Sequence, residues 1–174
     1  MYQRWCEREI DNLLFVEFAK NNPDEDKIWR FIHFGADINA IDNKGETLLI
    51  NAIGHACDCL DPKYIRLLVD AGVDLSYTYE GMNCIYYALM SGNPVIVSML
   101  LEAGADPNCI SEDSPVSLLD WAEAKLMFDE YNHSTCIAQL REVVELLKLH
   151  GARSATEMMQ EQTLQLIADT SFSA

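Results

Sequence analysis

The residues of this chain that could do chemistry are its histidines and cysteines, and their spacing forms no recognised metal-binding or redox motif. The densest group is His55, Cys57 and Cys59. Imidazole and thiolate groups are zinc ligands, but a structural zinc site needs four of them, and neither a CxxC pair nor an HExxH helix lies nearby. The start of the chain is charged and has no apolar core typical of an export signal, so the six cysteines are expected to be reduced thiols. The cluster is interpreted as part of a loop, and no metal and no cofactor is expected.

Sequence patterns of catalysis are missing as well. The chain has no G-x-S-x-G elbow, no P-loop and no G-x-G-x-x-G turn, and its four histidines are spread along its length. His33 and His150 each stand just before a glycine at the end of an apolar run, where a cation suits the helix dipole. The acid pairs Glu112–Asp113 and Asp129–Glu130 are expected to be solvated. The sequence therefore predicts no enzyme; the alternative is an enzyme that uses groups from residues 129–136.

Charge limits the classes of partner. The 174 residues contain 28 acidic and 12 basic side chains, for a net charge of −16, and no Lys or Arg stands between Leu67 and Ala124. A field of this sign repels nucleic acid and anionic membranes and steers basic proteins inward, although surface acid also serves solubility alone. No apolar run reaches the length of a membrane helix. The expected partner is a basic protein, with no nucleic acid and no membrane.

One short motif recurs along the chain, each time after an apolar run with helical spacing. The copies are Gly35-Ala36-Asp37-Ile38-Asn39, Gly72-Val73-Asp74-Leu75-Ser76 and Gly104-Ala105-Asp106-Pro107-Asn108, followed by the weaker Gly151-Ala152-Arg153. The glycines are 37, 32 and 47 residues apart. A period in the thirties is typical of a stack of repeated helical units.

Helix-start signals precede these glycines at similar distances. Asn93-Pro94 combines a good N-cap with proline at the first helical position, and Gly104 suits the left-handed residue after the helix. Asp61-Pro62 and Asn22-Pro23 repeat the arrangement. Apolar residues stand seven and four positions before each glycine, which predicts one buried helical face: Ile28, Ile65, Val97 and Val144, then Phe31, Leu68, Leu100 and Leu147.

These residues resemble the ankyrin-repeat family over about residues 5–153. The family pattern G-x-T-P-L-H-x-A is matched at Gly45, Thr47, Leu49 and Ala52, and its ending L-L-x-x-G-A-D-x-N at residues 100–108. The resemblance implies an all-α solenoid of about four helix-turn-helix repeats, over residues 5–39, 40–76, 77–108 and 109–153. The ending Gly151-Ala152-Arg153-Ser154-Ala155 resembles small bacterial members of the family.

Two insertions depart from the family pattern, and one further helix is predicted after the last repeat. Residues 56–60 lengthen one repeat and residues 129–136 lengthen the last, and such inserts map to loops on one face. Ser154 and Glu157 form a capping box, which predicts a C-terminal capping helix to about Ile167 and a frayed tail from Thr170. Residues 1–153 are thus the repeat domain, and residues 154–174 the final helix and tail.

The resemblance implies a binding surface made of loop tips, called fingers, and of the first helix of each repeat. One finger carries large adaptable side chains beside acid, and the next finger adds further acid. Tyr77 and Tyr79 are expected to be exposed, whereas core packing is the preferred interpretation of Tyr87 and Trp121. The predicted partner-binding residues are Tyr77, Tyr79, Glu80, Met82, Tyr86, Met90, Glu112, Asp113 and Val116.

The functional hypothesis is a small cytoplasmic protein-binding module, monomeric when free. Its most concrete form is an acidic inhibitor or immunity protein that binds and blocks a basic partner such as a toxin. An adaptor or effector scaffold that binds a cellular protein is the first alternative, and an enzyme using residues 129–136 is the second.

Overall fold

The structure is a computed structural model that describes residues 2–20, 22–56, 61–109, 116–131 and 137–171. Over these ranges the regular secondary structure is helical, apart from two isolated antiparallel bridges. No helix in this part of the chain is long and apolar enough to cross a membrane. The helices are α1 (Tyr2–Phe18), α2 (Glu25–His33), α3 (Leu48–Ala56), α4 (Lys63–Asp70), α5 (Cys84–Ser91), α6 (Pro94–Glu102), α7 (Leu118–Tyr131), α8 (Ile137–Leu149) and α9 (Ala155–Ser171).

The helices pair in chain order, α1 with α2 and so on to α7 with α8, and each pair is one repeat. First helices also pack on first helices, as α3 does on α5, and second helices on second helices, as α6 does on α8. The predicted all-α solenoid is confirmed. It brings the first helices of successive repeats side by side.

Each second helix ends at the glycine that the sequence marks. Gly35, Gly72, Gly104 and Gly151 all have φ between 80° and 93°. The residue after each glycine donates its N–H to a carbonyl five positions back, which is the Schellman end of a helix. These bonds join Ala36 to Phe31, Val73 to Leu68, Ala105 to Leu100 and Ala152 to Leu147, at 2.9–3.2 Å.

The aspartates of the repeated motif close the turns that follow the glycines. The side chains of Asp37, Asp74 and Asp106 each accept the backbone N–H two residues later, at 2.8–2.9 Å. The motif's asparagines then connect neighbouring repeats. Asn39 Oδ1 accepts the Asp74 N–H at 2.8 Å, and Asn108 Oδ1 accepts the Arg153 N–H at 2.9 Å. The motif therefore fixes both the turn and the spacing between repeats.

The predicted apolar positions form the core. The residues seven positions before the glycines are all buried, and so are three of the four that stand four positions before; Phe31 is half-buried. Burial of each such side chain contributes about 1.5–3 kcal/mol. The helical face that the sequence predicts is the face that packs.

The first helices begin with equivalent side-chain caps in three repeats. Thr47, Asn83 and Ser117 each accept the N–H of the residue three positions on, at 3.0–3.3 Å. The residue after each of these caps is buried, whereas Leu13, its equivalent in α1, is 47% exposed. Leu14 and Phe18 of the same helix are fully buried, so Leu13 is the one of these three apolar residues that lies toward solvent.

The C-terminal end matches the predicted capping box. Ser154 N–H donates to Glu157 Oε2 at 2.9 Å, and Glu157 N–H donates to Ser154 Oγ at 3.2 Å. Asp120 of α7 accepts the Ala155 N–H at 2.7 Å, which ties the start of α9 to the last repeat. The helix continues to Ser171, further than predicted, so the tail expected to fray from Thr170 is helical at its first two residues.

Three local predictions are wrong. The N-cap of α4 is Pro62 and not Asp61, although Asp61 Oδ1 accepts the Lys63 N–H at 2.9 Å. The N-cap of α2 is Asp24, which accepts the Lys27 N–H at 3.3 Å, and not Asn22. Pro23 lies outside the helix, where its carbonyl accepts the Tyr64 hydroxyl at 2.7 Å. Asp129 was expected to be solvated but is buried, because α7 extends to Tyr131 and places this carboxylate 3.3 Å from the Lys125 ammonium group.

Candidate functional site

Two fingers project from the stack, and each is closed by an isolated antiparallel bridge. The first finger, residues 41–47, is bridged between Ile41 and Thr47, and the second finger, residues 79–82, between Tyr79 and Met82. In the first finger, Asp42 Oδ1 accepts the N–H groups of Lys44 and Glu46 at 2.8 and 3.0 Å. Asp42 therefore stabilises the loop by hydrogen bonds to the loop's own backbone.

The second finger is a tight two-residue turn. Tyr79 and Met82 exchange both backbone hydrogen bonds, at 3.0 and 2.9 Å. Glu80 and Gly81 between them have φ of 51° and 73°, and Glu80 is the one residue other than glycine with positive φ among those described. Such turns favour Asn, Asp or Gly at the first position, because a longer side chain in the left-handed region is strained by about 1–2 kcal/mol.

Tyr77 joins the two fingers. Its hydroxyl donates to the Gly45 carbonyl at 2.7 Å, and its side chain is half-buried. The sequence predicted exposure for this residue. The contact with the preceding repeat, which the sequence does not show, accounts for the difference.

Tyr79 is also half-buried rather than exposed, since its ring lies between neighbours from two repeats. A Cβ atom on Gly45 would be 3.5 Å from Tyr79 Cε2, so the ring rests on the first finger. On its other side the Tyr87 ring is tilted by 31°, with the centroids 6.3 Å apart. The Tyr87 hydroxyl donates to the Tyr79 carbonyl at 3.1 Å and fastens the second finger to α5.

The aromatic row continues along α5 to α7. Tyr86 meets Tyr87 edge-on with centroids 6.5 Å apart, and meets Trp121 with centroids 5.4 Å apart. All three side chains are half-buried and pack against the core. We call Tyr77, Tyr79, Tyr86, Tyr87 and Trp121 together the tyrosine surface. Its residues belong to two consecutive repeats, that of α5 and α6 and that of α7 and α8.

Carboxylates lie around the part of this surface that the fingers form. Burial, and then the charges of Glu80, Glu46 and Asp42, raise the pKa of Tyr79 above its usual value. Burial first, and then Glu80 and other neighbours including Glu46, raise the pKa of Tyr87 to about 12. We call Asp42, Glu46 and Glu80 the acidic rim.

The carboxylates of the acidic rim have no ion-pair partner among the described residues, and the same holds for several other acids, such as Asp70 and Asp74. Some carboxylates on the helices are paired: Glu25 with Lys63 at 2.8 Å, and Glu123 with Lys148 at 2.9 Å. Negative charge beside half-exposed aromatic rings is therefore concentrated at the fingers.

Comparisons with known proteins agree with this architecture. Residues 15–111 match the model of the family described as "Ankyrin repeats (3 copies)". The chain belongs to the ankyrin-repeat family. The ankyrin match ends before Trp121, so it includes both fingers and α5 but not the last aromatic residue of the tyrosine surface.

Individual ankyrin proteins are similar at moderate identity. The "B-cell lymphoma 3 protein homolog" of Mus musculus is 30% identical over 138 residues, which are 76% of this chain and 27% of that protein. The "Ankyrin repeat and SOCS box protein 3" of Homo sapiens is 33% identical over 119 residues, which are 64% of this chain and 22% of that protein. The chain thus spans about a quarter of the length of these curated relatives.

A solved structure is similar as well. The crystal structure of an ankyrin repeat domain from Acinetobacter baumannii superimposes with a TM-score of 0.57 at 28% identity, and the match covers 73% of this chain and 59% of that one. Ankyrin-repeat proteins are in general protein-interaction modules and not enzymes. Because the chain belongs to this family, the exposed side chains of the fingers and of the first helices are the candidates for binding a partner.

The remaining predicted site residues lie around the tyrosine surface or outside the described residues. Met82 closes the second finger and is half-buried, and Met90 follows Tyr86 by one helical turn and is 59% exposed. Val116 lies two residues before α7 and is 47% exposed. Glu112 and Asp113 fall outside the described residues.

Sequence reasoning missed two residues of the acidic rim and undervalued two of the tyrosine surface. Asp42 and Glu46 belong to the preceding repeat. Their place in the first finger, equivalent to that of Glu80 in the second finger, was the available signal. Tyr87 and Trp121 were interpreted as core, yet both keep an accessible part. Tyr87 stands four residues after the cap Asn83, and Trp121 four residues after the cap Ser117. This shared position was the available signal.

The thiols and the last insert supply no reactive group in the part of the chain that the structure describes. Burial raises the pKa of Cys84 to about 12 and also raises the pKa of Cys109, so neither thiol is a thiolate at neutral pH. The described residues contain no group of three or more His, Cys, Asp or Glu that could hold a metal ion. Cys57, Cys59, His133 and Cys136 lie outside the described residues.

Proposed function

We propose that this ankyrin chain is an acidic inhibitor, of the immunity-protein type, that binds a basic protein partner such as a toxin and blocks it. The observation that carries the proposal is the unpaired acidic rim beside the half-exposed aromatic rings of the tyrosine surface. Aromatic side chains are enriched at the energetic centres of interfaces. Carboxylates without counterions attract a cationic partner and speed its association.

The distribution of charge supports a basic partner in particular. Glu80 lies in the segment without Lys or Arg from Leu67 to Ala124, whereas Asp42 and Glu46 stand on either side of Lys44 in the first finger. Most other cations of the described residues are held in ion pairs. A partner with exposed Lys or Arg would replace the missing counterions without breaking an existing pair. The solved bacterial ankyrin domain among the similar structures agrees with a bacterial member. We infer a cytoplasmic chain that is monomeric when free.

The test uses the product of the gene that directly neighbours this one as the candidate partner. Association rates are measured by stopped flow at low and at moderate salt for the wild type and for the double variant Glu46→Gln, Glu80→Gln. We expect association to slow with salt and the double variant to be slower, by about tenfold at low salt, with less dependence on salt. The partner's own activity should fall as this chain is added.

A matched control separates local charge from net charge. The double variant Asp70→Asn, Glu145→Gln removes the same number of charges from exposed positions on α4 and α8. It should associate almost as fast as the wild type. Equal rates for all three proteins would contradict the role of the acidic rim. Binding that leaves the partner fully active would favour a scaffold over an inhibitor.

A further inference from the structure

We propose that one face of α2 is a docking site for another protein, and that it takes a segment in which a carboxylate stands between large apolar side chains. The face consists of Trp29, Arg30, His33 and Phe34, and we call it the α2 face. It belongs to a second helix, whereas the acidic rim and the tyrosine surface lie on or beside the fingers and first helices. The α2 face is thus a second site of different chemistry, on the other layer of helices, and it does not depend on the proposed function.

The four side chains line an open groove along one side of α2. The groove has a volume of about 700 Å³, and Asp26 completes its lining. Trp29 is 44% exposed and Phe34 is 73% exposed, so large parts of both rings are in contact with water. Exposed apolar surface that is grouped in this way marks interaction sites, whereas single exposed apolar residues are ordinary.

The other second helices do not carry this aromatic surface at the same positions. Six residues before the helix-ending glycine, where α2 has Trp29, the other repeats have charged or polar residues: Arg66, Ser98 and Glu145. One residue before the glycine, where α2 has Phe34, they have small or polar residues: Ala71, Ala103 and His150. The repeat therefore does not require an aromatic side chain at either position, and the two rings need another explanation.

Arg30 departs from the repeat in the opposite sense. It stands five residues before the glycine, where the other second helices have apolar residues that are buried or half-buried: Leu67, Met99 and Leu146. The Arg30 side chain is exposed and takes part in none of the ion pairs between described residues, although Asp26 lies one turn earlier. The α2 face thus holds a cation without a counterion in the same groove as two exposed rings.

These groups fit a segment that is both acidic and apolar. A guanidinium binds a carboxylate through two parallel N–H donors, and Arg30 has no such acceptor among the described residues. His33 lies beside it and meets the Phe34 ring edge-on with centroids 6.0 Å apart, and an imidazole N–H can donate to the same ligand. Trp29 and Phe34 offer apolar surface to the side chains next to the carboxylate. A basic segment would gain nothing from Arg30, which distinguishes this site from the acidic rim.

The test is a titration of the full chain with capped tripeptides in about 0.15 M salt, which screens the net negative charge of the chain beyond about 8 Å. The probe is acetyl-Leu-Glu-Leu-amide. The comparison peptides replace its Glu by Gln or by Lys, or both of its Leu residues by Gly.

Binding is followed by the indole N–H NMR signals of Trp29 and Trp121, which are assigned with the variants Trp29→Ser and Trp121→Phe. Trp29 reports on the α2 face, and Trp121 on the tyrosine surface. We expect saturable shifts of the Trp29 signal alone, in the millimolar range of peptide. The Gln and Gly peptides should bind severalfold more weakly, and the Lys peptide should not saturate. No saturable shift with the Glu peptide, or a shift of Trp121 in place of Trp29, would contradict the α2 face.

Charge variants check the role of Arg30. Arg30→Gln should weaken binding of the Glu peptide severalfold, whereas Arg66→Gln, which removes an exposed arginine from α4, should leave it unchanged. Asp26→Asn should strengthen binding, because it removes the nearest carboxylate that competes for the guanidinium. Equal binding of the Glu and Gln peptides, or binding that survives Arg30→Gln, would mean that the face does not select an acidic segment.

A double variant separates binding from folding. Trp29→Ser combined with Phe34→Ala gives α2 the residues that α6 has at these positions, Ser98 and Ala103. The variant should unfold at the same urea concentration as the wild type and should no longer bind the Glu peptide. A clear loss of stability would show that the two rings serve the fold, and the docking site would be wrong.

Self-association is the other way in which this surface could be covered. Sedimentation velocity over a range of protein concentrations should show a monomer for the wild type and for the double variant alike. A dimer that forms in the wild type and is lost in the double variant would mean that a second copy of the chain covers the α2 face. The assignment to an acidic segment of another protein would then be wrong.

Discussion

The two fingers occupy equivalent places in consecutive repeats but use their acids differently. In the first finger, Asp42 is part of the loop, because its carboxylate accepts two backbone N–H groups. In the second finger, the turn is closed by backbone bonds between Tyr79 and Met82, and the positive φ of Glu80 strains this turn. Asp42 thus stabilises its finger, whereas Glu80 destabilises its turn, although both carboxylates belong to the acidic rim.

The difference shows how charge in an ankyrin finger should be interpreted. An acid that satisfies backbone donors has a structural reason to be there, whatever it also binds. An acid that strains its own backbone, and whose side chain is bonded to the neighbouring tyrosine rather than to backbone donors of the loop, is not required by the turn. Glu80, which the sequence analysis named as a partner-binding residue, is therefore a better indicator of function than Asp42, which it missed.

The largest expected effect comes from removing the structural acid. Asp42→Ala leaves two loop N–H groups without their acceptor, and we expect the free energy of unfolding to fall by about 1–3 kcal/mol. Asp42→Asn keeps an acceptor oxygen and should lose clearly less. Urea denaturation of both variants measures the difference, with Asp70→Ala as a control that should change little. Equal losses in the alanine and asparagine variants would mean that charge, and not the hydrogen bonds, stabilises the finger.

A smaller effect of opposite sign is expected in the second finger. Glu80→Asn relieves the left-handed strain and should raise the free energy of unfolding by about 1 kcal/mol, while weakening partner binding. Glu80→Gln removes the charge but keeps the strain, so its stability should equal that of the wild type. Thermal and urea unfolding of the two variants decide between backbone and charge. A glutamine variant as stable as the asparagine variant would show that repulsion among rim acids, and not φ, destabilises the turn.

The smallest effect concerns pH and the anchor of the second finger. The pKa of Tyr87 is raised by burial and by nearby Glu80 from 10.0 to about 12, so the folded chain binds more protons than the unfolded chain between these values. Stability is therefore fully present below about pH 10 and falls as the pH rises toward about 12. Melting temperatures measured across this window should fall less steeply for Tyr87→Phe than for the wild type.

A residual slope should remain in the Tyr87→Phe variant, because burial also raises the pKa of the Cys84 thiol to about 12. The variant should be slightly less stable at neutral pH, since it lacks the hydroxyl that donates to the Tyr79 carbonyl at 3.1 Å. Identical alkaline slopes in the two proteins would mean that the phenol of Tyr87 does not anchor the finger.

The sequence by itself determined the repeating unit. Gly35, Gly72 and Gly104 mark helix ends, Asn93-Pro94 marks a helix start, and Ser154 with Glu157 forms the capping box, because each of these signals acts within a few residues of itself. Apolar spacing then predicted the buried face of the second helices. Local errors, such as Asn22 in place of Asp24 as a cap, arose where Tyr64, a distant residue, holds the neighbouring backbone.

Only the tertiary structure decided what surrounds the tyrosines. The sequence placed Tyr77, Tyr79 and Glu80 in one finger, but Gly45, Asp42 and Glu46 reach them from the preceding repeat. The distance between two such groups depends on how one helix pair packs against the next, and no pattern within a single repeat encodes it. Stacking of the repeats therefore turned a predicted exposed loop into a half-buried aromatic surface with an acidic rim.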